Sequence, residues 1–356
     1  AALAWLDGAL VNKAVKNWAP QGDDEVYEIR TRNSLVRANA RHPFLVSRCG
    51  EHSWVRTDAL KPGDDIVTSA AIVGGKEGIL TAREAWLLGF MFGDGWVTRR
   101  DALNYNRTYD KYYPRRGFVT CAAVGIDDEQ NLKVVEYFSD IFEVTPKLTK
   151  FGYLRTDVAR VGRWFTEKGL TGRAKTQRLP SYLYMEPLRT RLAFLDGLIA
   201  ADGYAAISGY SKKRHALSLS NGPLIEDVRQ LVRGCGLAPS NVYKRTRISQ
   251  PPNSPVPVQS TEFTISWNPW SLTIDPCRLS RIRSIKSVER EMVYDIEVDG
   301  AHCFIADGLV THNTRWHHND TYREILRRGS AIERRHTATD DNTDTGNPVL
   351  KSREWL

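Results

Sequence analysis

Cysteine is scarce in this chain, and the few cysteines that occur form no pattern. Five stand among 356 residues, an odd number without CxxC spacing. They are Cys49, Cys121, Cys235, Cys277 and Cys303. This usage excludes a disulfide framework and a zinc site of paired cysteines, and it indicates a reducing compartment.

Long apolar runs are also lacking. No run reaches the length of a membrane span, and the first residues show no basic stretch followed by an apolar one. We therefore expect a cytoplasmic protein of a prokaryotic or phage-infected cell, monomeric and without a membrane partner. Its net charge of +8, from 50 Lys and Arg against 42 Asp and Glu, favours a polyanionic partner.

The character of the sequence changes three times along the chain. Residues 1–75 read as short strands with turns, 76–272 mix helix-like and strand-like stretches, and 273–313 return to short strands. Residues 314–356 are polar and are predicted to hold one helix, near 320–328. The sequence thus predicts an all-β domain (the β region, 1–75 with 273–313) that is split by an α/β insert (76–272) and followed by a tail.

Helix-like runs of the insert lie at 83–94, 129–142, 159–168, 186–202 and 223–236. Two of them carry small residues four apart and end in Asp-Gly. The motifs are WLLGFMFGDG, with Gly89, Gly93, Asp94 and Gly95, and FLDGLIAADG, with Gly197, Ala201, Asp202 and Gly203. Small residues at this spacing let two helix backbones approach closely, and we expect a left-handed glycine to cap each helix.

If these two helices pair about a pseudo-twofold axis, Asp94 and Asp202 come together at one end. Two converging carboxylates can hold Mg²⁺ for phosphodiester hydrolysis. The plainer alternative is a buried helix pair with solvated terminal acids. Because the motif occurs twice, each time before strand-like sequence, we favour the metal site.

The paired motifs resemble those of the LAGLIDADG homing endonuclease family. The resemblance implies two pseudo-symmetric αββαββα repeats whose sheets form a saddle over double-stranded DNA, with Mg²⁺ as cofactor. Basic stretches suited to phosphate contacts, each otherwise a solvated face, are Lys212, Lys213 and Arg214, and Lys244, Arg245 and Arg247. The family often has a lysine near the metals, for which Lys175 and Lys213 are candidates.

The run His312-Asn313-Thr314 combines three groups that can break a peptide bond. The side-chain amide of Asn313 can attack its own main-chain carbonyl, form a succinimide and release Thr314 as a new N-terminus. His312 can protonate the leaving nitrogen, and the hydroxyl of Thr314 can receive an acyl group.

Together with VYDIEV from Val293 and HCF from His302, this junction resembles the C-terminal motifs of inteins. Inteins are protein-splicing elements with an all-β, horseshoe-like Hint fold. In the N-terminal part, Asn39 and His42 match a motif normally read as Thr-x-x-His. The DNA partner implied is then the host gene without the intein, and the protein partners are the flanking exteins.

The resemblance assigns roles position by position. His42 would contact and activate the peptide bond at the N-terminal splice site, and Asp295 would relay protons between the two splice sites. His302 and His312 would assist Asn313, and splicing would need no cofactor. Thr314 would be the acceptor nucleophile.

Two positions depart from the intein pattern. Asn39 stands where Thr is usual, although its amide can still donate a hydrogen bond to an oxyanion. The chain begins with Ala1 and Ala2, whereas inteins usually begin with Cys or Ser. One hypothesis is that alanine, at Ala1 or Ala2, replaces a nucleophile and traps the precursor. The other is a natural alanine-starting intein in which Thr314 attacks directly.

The tail resembles a segment of phage terminase large subunits through TRWHHNDTYREIL, which begins at Thr314. This implies that 314–356 are a C-extein fragment of such a host. Two rival interpretations stay open for the whole chain: a free-standing endonuclease with a degenerate Hint remnant, and a DNA-binding module with an inactive nuclease. Cys303 is expected to be a small buried strand residue, with redox control of splicing as the alternative.

Overall fold

In this computed structural model, the described residues of the N-terminal part of the β region form seven strands. They are β1 (Ala2–Leu6), β2 (Ala9–Lys13), β3 (Val15–Arg30), β4 (Leu35–Asn39), β5 (Pro43–Arg48), β6 (Glu51–Arg56) and β7 (Asp65–Thr68). In β5 the alternating residues Phe44 and Val46 are fully buried, as in a strand with one face on a core.

The structure describes residues 2–6, 9–48, 50–69, 75, 77–106, 111–124, 129–170, 174–208, 212–250, 256–270 and 278–312. All of them lie in one unit, Ala1–Asn313. Within these ranges, none of the helices has the length and apolarity to cross a membrane. The predicted tail helix near 320–328 lies outside the described residues.

The insert contains five helices and eight strands within its described ranges. Its first half holds α1 (Ala82–Asp94), β8 (Gly95–Asn106), β9 (Lys111–Ala123), α2 (Glu129–Phe142), β10 (Lys147–Leu148), β11 (Tyr153–Thr156) and α3 (Ala159–Glu167). Its second half holds α4 (Leu188–Asp202), β12 (Gly203–Ser208), β13 (Lys212–Leu219), α5 (Gly222–Gly234), β14 (Tyr243–Ser249) and β15 (Val258–Trp267). The five helices confirm the predicted helix-like runs.

The two halves of the insert have the same sheet topology. The strand order is β8-β9-β11-β10 in the first sheet and β12-β13-β15-β14 in the second, and all pairs are antiparallel. The first half has the predicted αββαββα order. The second half follows the same order as far as β15, and the next residues, 271–277, lie outside the described ranges.

The described residues of the C-terminal part of the β region, 278–312, hold four more strands: β16 (Arg278–Arg281), β17 (Ser284–Val298), β18 (Cys303–Ala306) and β19 (Leu309–His312). They pair with strands from the other end of the chain. β16 pairs with β7, β17 pairs with β3 along most of its length, and β19 pairs with β5 and β7. The two parts of the β region therefore share their sheets.

α1 and α4 form the centre of the insert. A Cβ atom at Gly89 would lie 2.0 Å from the carbonyl oxygen of Phe194, and one at Gly197 would lie 1.9 Å from that of Trp86. The predicted close approach of the two backbones is confirmed. Thr81 and Glu84 form a capping box that fixes the start of α1.

The predicted left-handed glycine caps are wrong. Gly95 and Gly203 have φ values of −110° and −89°, so each helix passes directly into an extended strand. Glycine is needed there for another reason. A Cβ at Gly95 would lie 2.6 Å from the Cα of Met91, because the strand folds back over the last helical turn.

Candidate functional site

The N-terminal strand lies beside the C-terminal motifs in the β region. β1 contacts β18, and Ala4 is fully buried in a cluster with Val298 and Ala301. Ala2 pairs with Lys13 and packs against the same cluster. Both ends of the β region therefore meet near His302, which stands just before β18.

His42 reaches across to the C-terminal strand. Its ring Nε2 contacts the hydroxyl of Thr311, a residue 269 positions away that is fully buried in β19. The Thr311 hydroxyl also donates to the carbonyl of Pro43 at 2.9 Å. Since a hydroxyl has one hydrogen to give, it accepts from Nε2–H of His42, which leaves Nδ1 as the basic nitrogen.

The environment of His42 favours the neutral ring. The pKa of His42 is lowered to about 4, mainly by burial; the charge of Asp295 opposes this shift, and the nearby ring of His312 adds to it. His42 is therefore uncharged at neutral pH. A neutral imidazole with an unprotonated Nδ1 can accept a proton and can pass it on.

Asp295 and Asn39 flank this histidine, and their side chains make different hydrogen bonds. Asp295 is buried in β17 opposite Ala19, and its Oδ1 accepts the N–H of Ile296 at 2.9 Å. The side-chain amide of Asn39 donates to Asp24 at 3.1 Å. One of the two amide hydrogens of Asn39 is thus engaged by Asp24, and the predicted contact to an oxyanion would use the other.

His312 ends β19 between two rings. The indole of Trp54 packs edge-on against it at 5.0 Å, and the ring of His302 stacks near-parallel to it at 6.4 Å. Cys303, opposite His312 in the β18–β19 ladder, is buried, which confirms the expected strand position. Ala1, Asn313 and Thr314 lie outside the described residues, and their roles stay predictions.

Two residues of this site were missed from the sequence. Thr311 is a buried hydroxyl within an otherwise apolar strand, and that pattern alone could have marked it. Trp54 is predicted as a strand residue in the continuation of the N-terminal intein motif, but nothing local to its sequence indicates that it packs on His312.

The second candidate site lies in the insert, where α1 and α4 end. A Cβ at Gly93 would lie 3.2 Å from the Oδ2 of Asp202, so this carboxylate sits against the backbone just before Asp94. Both acids line a cavity of about 500 Å³ together with Gln177 and Asn221. The predicted convergence of the two aspartates is therefore observed.

The electrostatics of this pair are unfavourable without a cation. Burial raises the pKa of Asp94, and burial together with the charge of Asp94 raises the pKa of Asp202 to about 6. Carboxylate oxygens are ligands that Mg²⁺ prefers. One divalent ion would offset both the cost of burying the two carboxylates and the repulsion between them. The pair fits Mg²⁺, although among the described residues no group of three or more His, Cys, Asp or Glu is placed to hold a metal ion.

Lys175, one of the two lysine candidates, lies at the rim of this cavity. It is exposed in the short turn Ala174–Thr176. The side-chain amide of Asn221 holds this segment by donating to the carbonyls of Ala174 and Gln177, both at 2.8 Å. Asn221 also caps α5, accepting the N–H of Leu224 at 3.0 Å.

Arg214 is the one residue of the basic stretch in β13 whose side chain lies within the described part of the chain. It is on the same face of the strand as Ser218, which lines the cavity, because side chains an even number of residues apart point to the same side. The side chains of Lys212 and Lys213 lie outside the described residues, and their roles stay predictions.

The basic stretch of β14 is divided between the two faces of its sheet. Lys244 lies opposite Phe263, which packs on the core, and its Nζ sits 6.0 Å from that ring. Arg245 and Arg247 lie on the other face, where Arg247 pairs with Glu262 at 3.4 Å. Of the four basic residues whose side chains are described, three therefore share one face of the sheet with Ser218, and Lys244 lies on the opposite face.

Comparison with known proteins assigns the family. The model of the intein splicing domain matches residues 7–313. This chain belongs to the intein splicing domain family.

Curated relatives with quite different names match the same chain. An iron-sulfur cluster assembly SufBD family protein of Mycobacterium leprae is 24% identical over 82% of this chain and 39% of its own length. The ribonucleoside-diphosphate reductase NrdEB subunit alpha of Bacillus subtilis is 24% identical over 68% of this chain and 22% of its own length. The replicative DNA helicase DnaB of Nostoc sp. is 26% identical over 65% of this chain and 26% of its own length. The chain spans two fifths or less of each.

Among solved structures, the I-SmaMI LAGLIDADG homing endonuclease bound to cleaved DNA matches at 13% identity and a TM-score of 0.26. The match covers 54% of this chain and 79% of the other. The meganuclease I-SmaMI bound to uncleaveable DNA matches at 13% identity and a TM-score of 0.28, over 52% of this chain and 80% of the other. These scores are too low to assign the fold of the insert.

Proposed function

We propose that this chain splices itself out of a host protein. The observation that carries the proposal is the contact between His42 and Thr311, which joins the N-terminal histidine motif to the strand that ends at His312. Asn313, directly after that strand, attacks its own carbonyl with its side-chain nitrogen. The bond to Thr314 breaks, and His312 supplies the proton for the leaving nitrogen.

The curated relatives support this function. Their printed names share no common activity, and the chain covers only part of each of them. An element inserted into unrelated hosts accounts for both facts.

For the N-terminal splice site, we propose that alanine, at Ala1 or Ala2, stands in place of a Cys or Ser nucleophile and traps the precursor. A reporter domain fused before an Ala1→Cys or Ala2→Cys chain should become ligated to the segment that begins with Thr314, as read by mass spectrometry. Ligation without either substitution would instead support direct attack by Thr314. No ligation in any of these chains would refute splicing.

As a second function, we propose that the insert is a Mg²⁺-dependent endonuclease on double-stranded DNA. The observation behind it is the pair Asp94 and Asp202, half-buried and facing one cavity at the ends of two close-packed helices. When bound, the metal supplies charge stabilisation and an activated water for phosphodiester hydrolysis. The basic residues of β13 and β14 supply phosphate contacts, among them Arg214, Arg245 and Arg247 on the face that they share with Ser218.

This activity is tested on a DNA library that includes host genes lacking the insertion. Asp94→Ala and Asp202→Ala should each abolish Mg²⁺-dependent cutting, and Lys175→Ala and Lys213→Ala show which of the two lysine candidates assists it. Full cutting by either aspartate variant would contradict the assignment. For the tail, we propose a C-extein from a phage terminase large subunit, on the TRWHHNDTYREIL motif, and we propose that the chain acts as a monomer.

A further inference from the structure

The turn between β18 and β19 fixes the approach to the C-terminal splice site. Asp307 and Gly308 form this two-residue turn, with φ values of 45° and 83°. Two left-handed residues give the tight hairpin twist that suits antiparallel strands. Because β19 starts directly after Gly308 and ends at His312, a displacement of the turn moves His312 with it.

Asp307 is bound by the insert. Its side chain is 13% exposed, and its Oδ1 accepts from Arg233 Nη1 at 2.6 Å and from Gln230 Nε2 at 2.9 Å. Arg229 donates to the same oxygen. These three donors stand on one face of α5, so a helix of the insert holds a turn of the β region.

The same cluster also holds the strand that leads to His42. Oδ2 of Asp307 accepts the N–H of Leu35, the first residue of β4, at 2.7 Å. Arg229 and Arg233 also donate to the carbonyl of Asn33, at 3.0 and 2.7 Å. One carboxylate and two buried arginines therefore join α5, the start of β4 and the β18–β19 turn.

Gly308 also packs against this cluster. A Cβ there would lie 2.8 Å from Nε of Arg233, and its carbonyl accepts the N–H of Ser69 at 2.8 Å. Burial alone would raise the pKa of Asp307, yet the charges of Arg233 and Arg229 hold that pKa below its usual value. The two arginines therefore keep the Asp307 carboxylate charged. Loss of either arginine would leave this buried charge incompletely paired.

We propose that α5 of the insert positions the splicing residues through this cluster, with Asp307, Arg229 and Arg233 as positioning residues for His312 and His42. The carboxylate ties together the two segments, β4 and β19, that set these histidines relative to each other. The insert thereby becomes a structural part of the splicing site. The effect on splicing rests on the function proposed above, whereas the effect on the two histidines does not.

The test uses the full chain carrying Asp307→Asn. Asparagine keeps the turn conformation and an oxygen for the N–H of Leu35, but it loses the charge held by Arg229 and Arg233. We expect cleavage after Asn313 to be roughly tenfold to a hundredfold slower, since small misplacements of catalytic groups cost this much. The matched control is Asp299→Asn, in an exposed turn ion pair with Lys16.

A second readout does not depend on cleavage. In chains that also carry Asn313→Ala, the imidazole NMR signals of His42 and His312 should shift with Asp307→Asn and stay in place with Asp299→Asn. Arg233→Met should shift the same signals, and Arg233→Lys should largely restore them. Unshifted histidine signals in a folded Asp307→Asn chain, shown by an unchanged unfolding midpoint, would overturn the proposal. Absence of cleavage in the parent chain would refute splicing instead.

Discussion

Replacing Asp202 with asparagine should stabilise the chain while it removes metal binding. The pKa of Asp202 rises from 3.8 to about 6, first through burial and then through the charge of Asp94. That difference corresponds to about 3 kcal/mol of free energy spent on keeping the carboxylate charged in the folded state. Asparagine has nearly the same shape and carries no charge.

The sign of the pH dependence follows from this shift. A raised carboxyl pKa means that the folded state holds its proton more tightly than the unfolded state between pH 3.8 and about 6. The stability of the folded state therefore falls as pH rises through this window, and the penalty is complete above it. Asp202→Asn should thus stabilise by up to about 3 kcal/mol at pH 7.5 and by little at pH 3.5.

The assay is urea unfolding of Asn313→Ala chains, with and without Mg²⁺. Mg²⁺ should stabilise the parent chain at pH 7.5 but not the Asp202→Asn chain, because a ligand stabilises only the state that binds it. Asp196→Asn is the matched control on the same helix. Burial also raises the pKa of Asp196, but His215 and Lys133 oppose that rise, so its gain should be smaller. A gain for Asp202→Asn that is equal at both pH values would refute the reasoning.

Three further results are expected. Gly197→Val should destabilise by about 3 kcal/mol or more in thermal unfolding, since its Cβ would meet a backbone oxygen of the facing helix at 1.9 Å, whereas Gly117→Ala has open space and should change little. Thr311→Val should slow cleavage after Asn313 in a gel assay, whereas Thr311→Ser should keep most of the rate, because only valine lacks the hydroxyl that contacts His42. In an NMR titration, the pH midpoint of His42 should lie near 4, and a midpoint near 6.5 would contradict the burial of this ring. Asp295→Asn should lower the midpoint, since the charge of Asp295 raises the pKa of His42.

The repeated motif made the centre of the insert predictable. Small residues four apart, as at Gly89 and Gly197, leave few alternatives to a close helix pair, and helix periodicity located all five helices. The caps were predicted wrongly because an Asp-Gly end is compatible both with a left-handed residue and with a sharp entry into a strand. Only the proximity of Met91 to Gly95 distinguishes the two.

Contacts between distant segments could not be predicted in the same way. The Asp307-Gly308 pair indicates a tight turn, but nothing in its sequence shows that Arg229 and Arg233 bind it across the fold. The division of Lys244 from Arg245 and Arg247 was foreseeable from strand period alone, once this stretch had been assigned to a strand. The contact of His42 with Thr311 was not predictable either, because it depends on the pairing of β5 with β19.

The central claim is that the bond between Asn313 and Thr314 breaks by asparagine cyclisation. The direct measurement is mass spectrometry of the purified chain after incubation, beside an Asn313→Ala chain. We predict a released fragment that begins with Thr314 and a partner that ends in a succinimide at Asn313, with neither product from the variant. Release of the same fragment from the Asn313→Ala chain would contradict the claim.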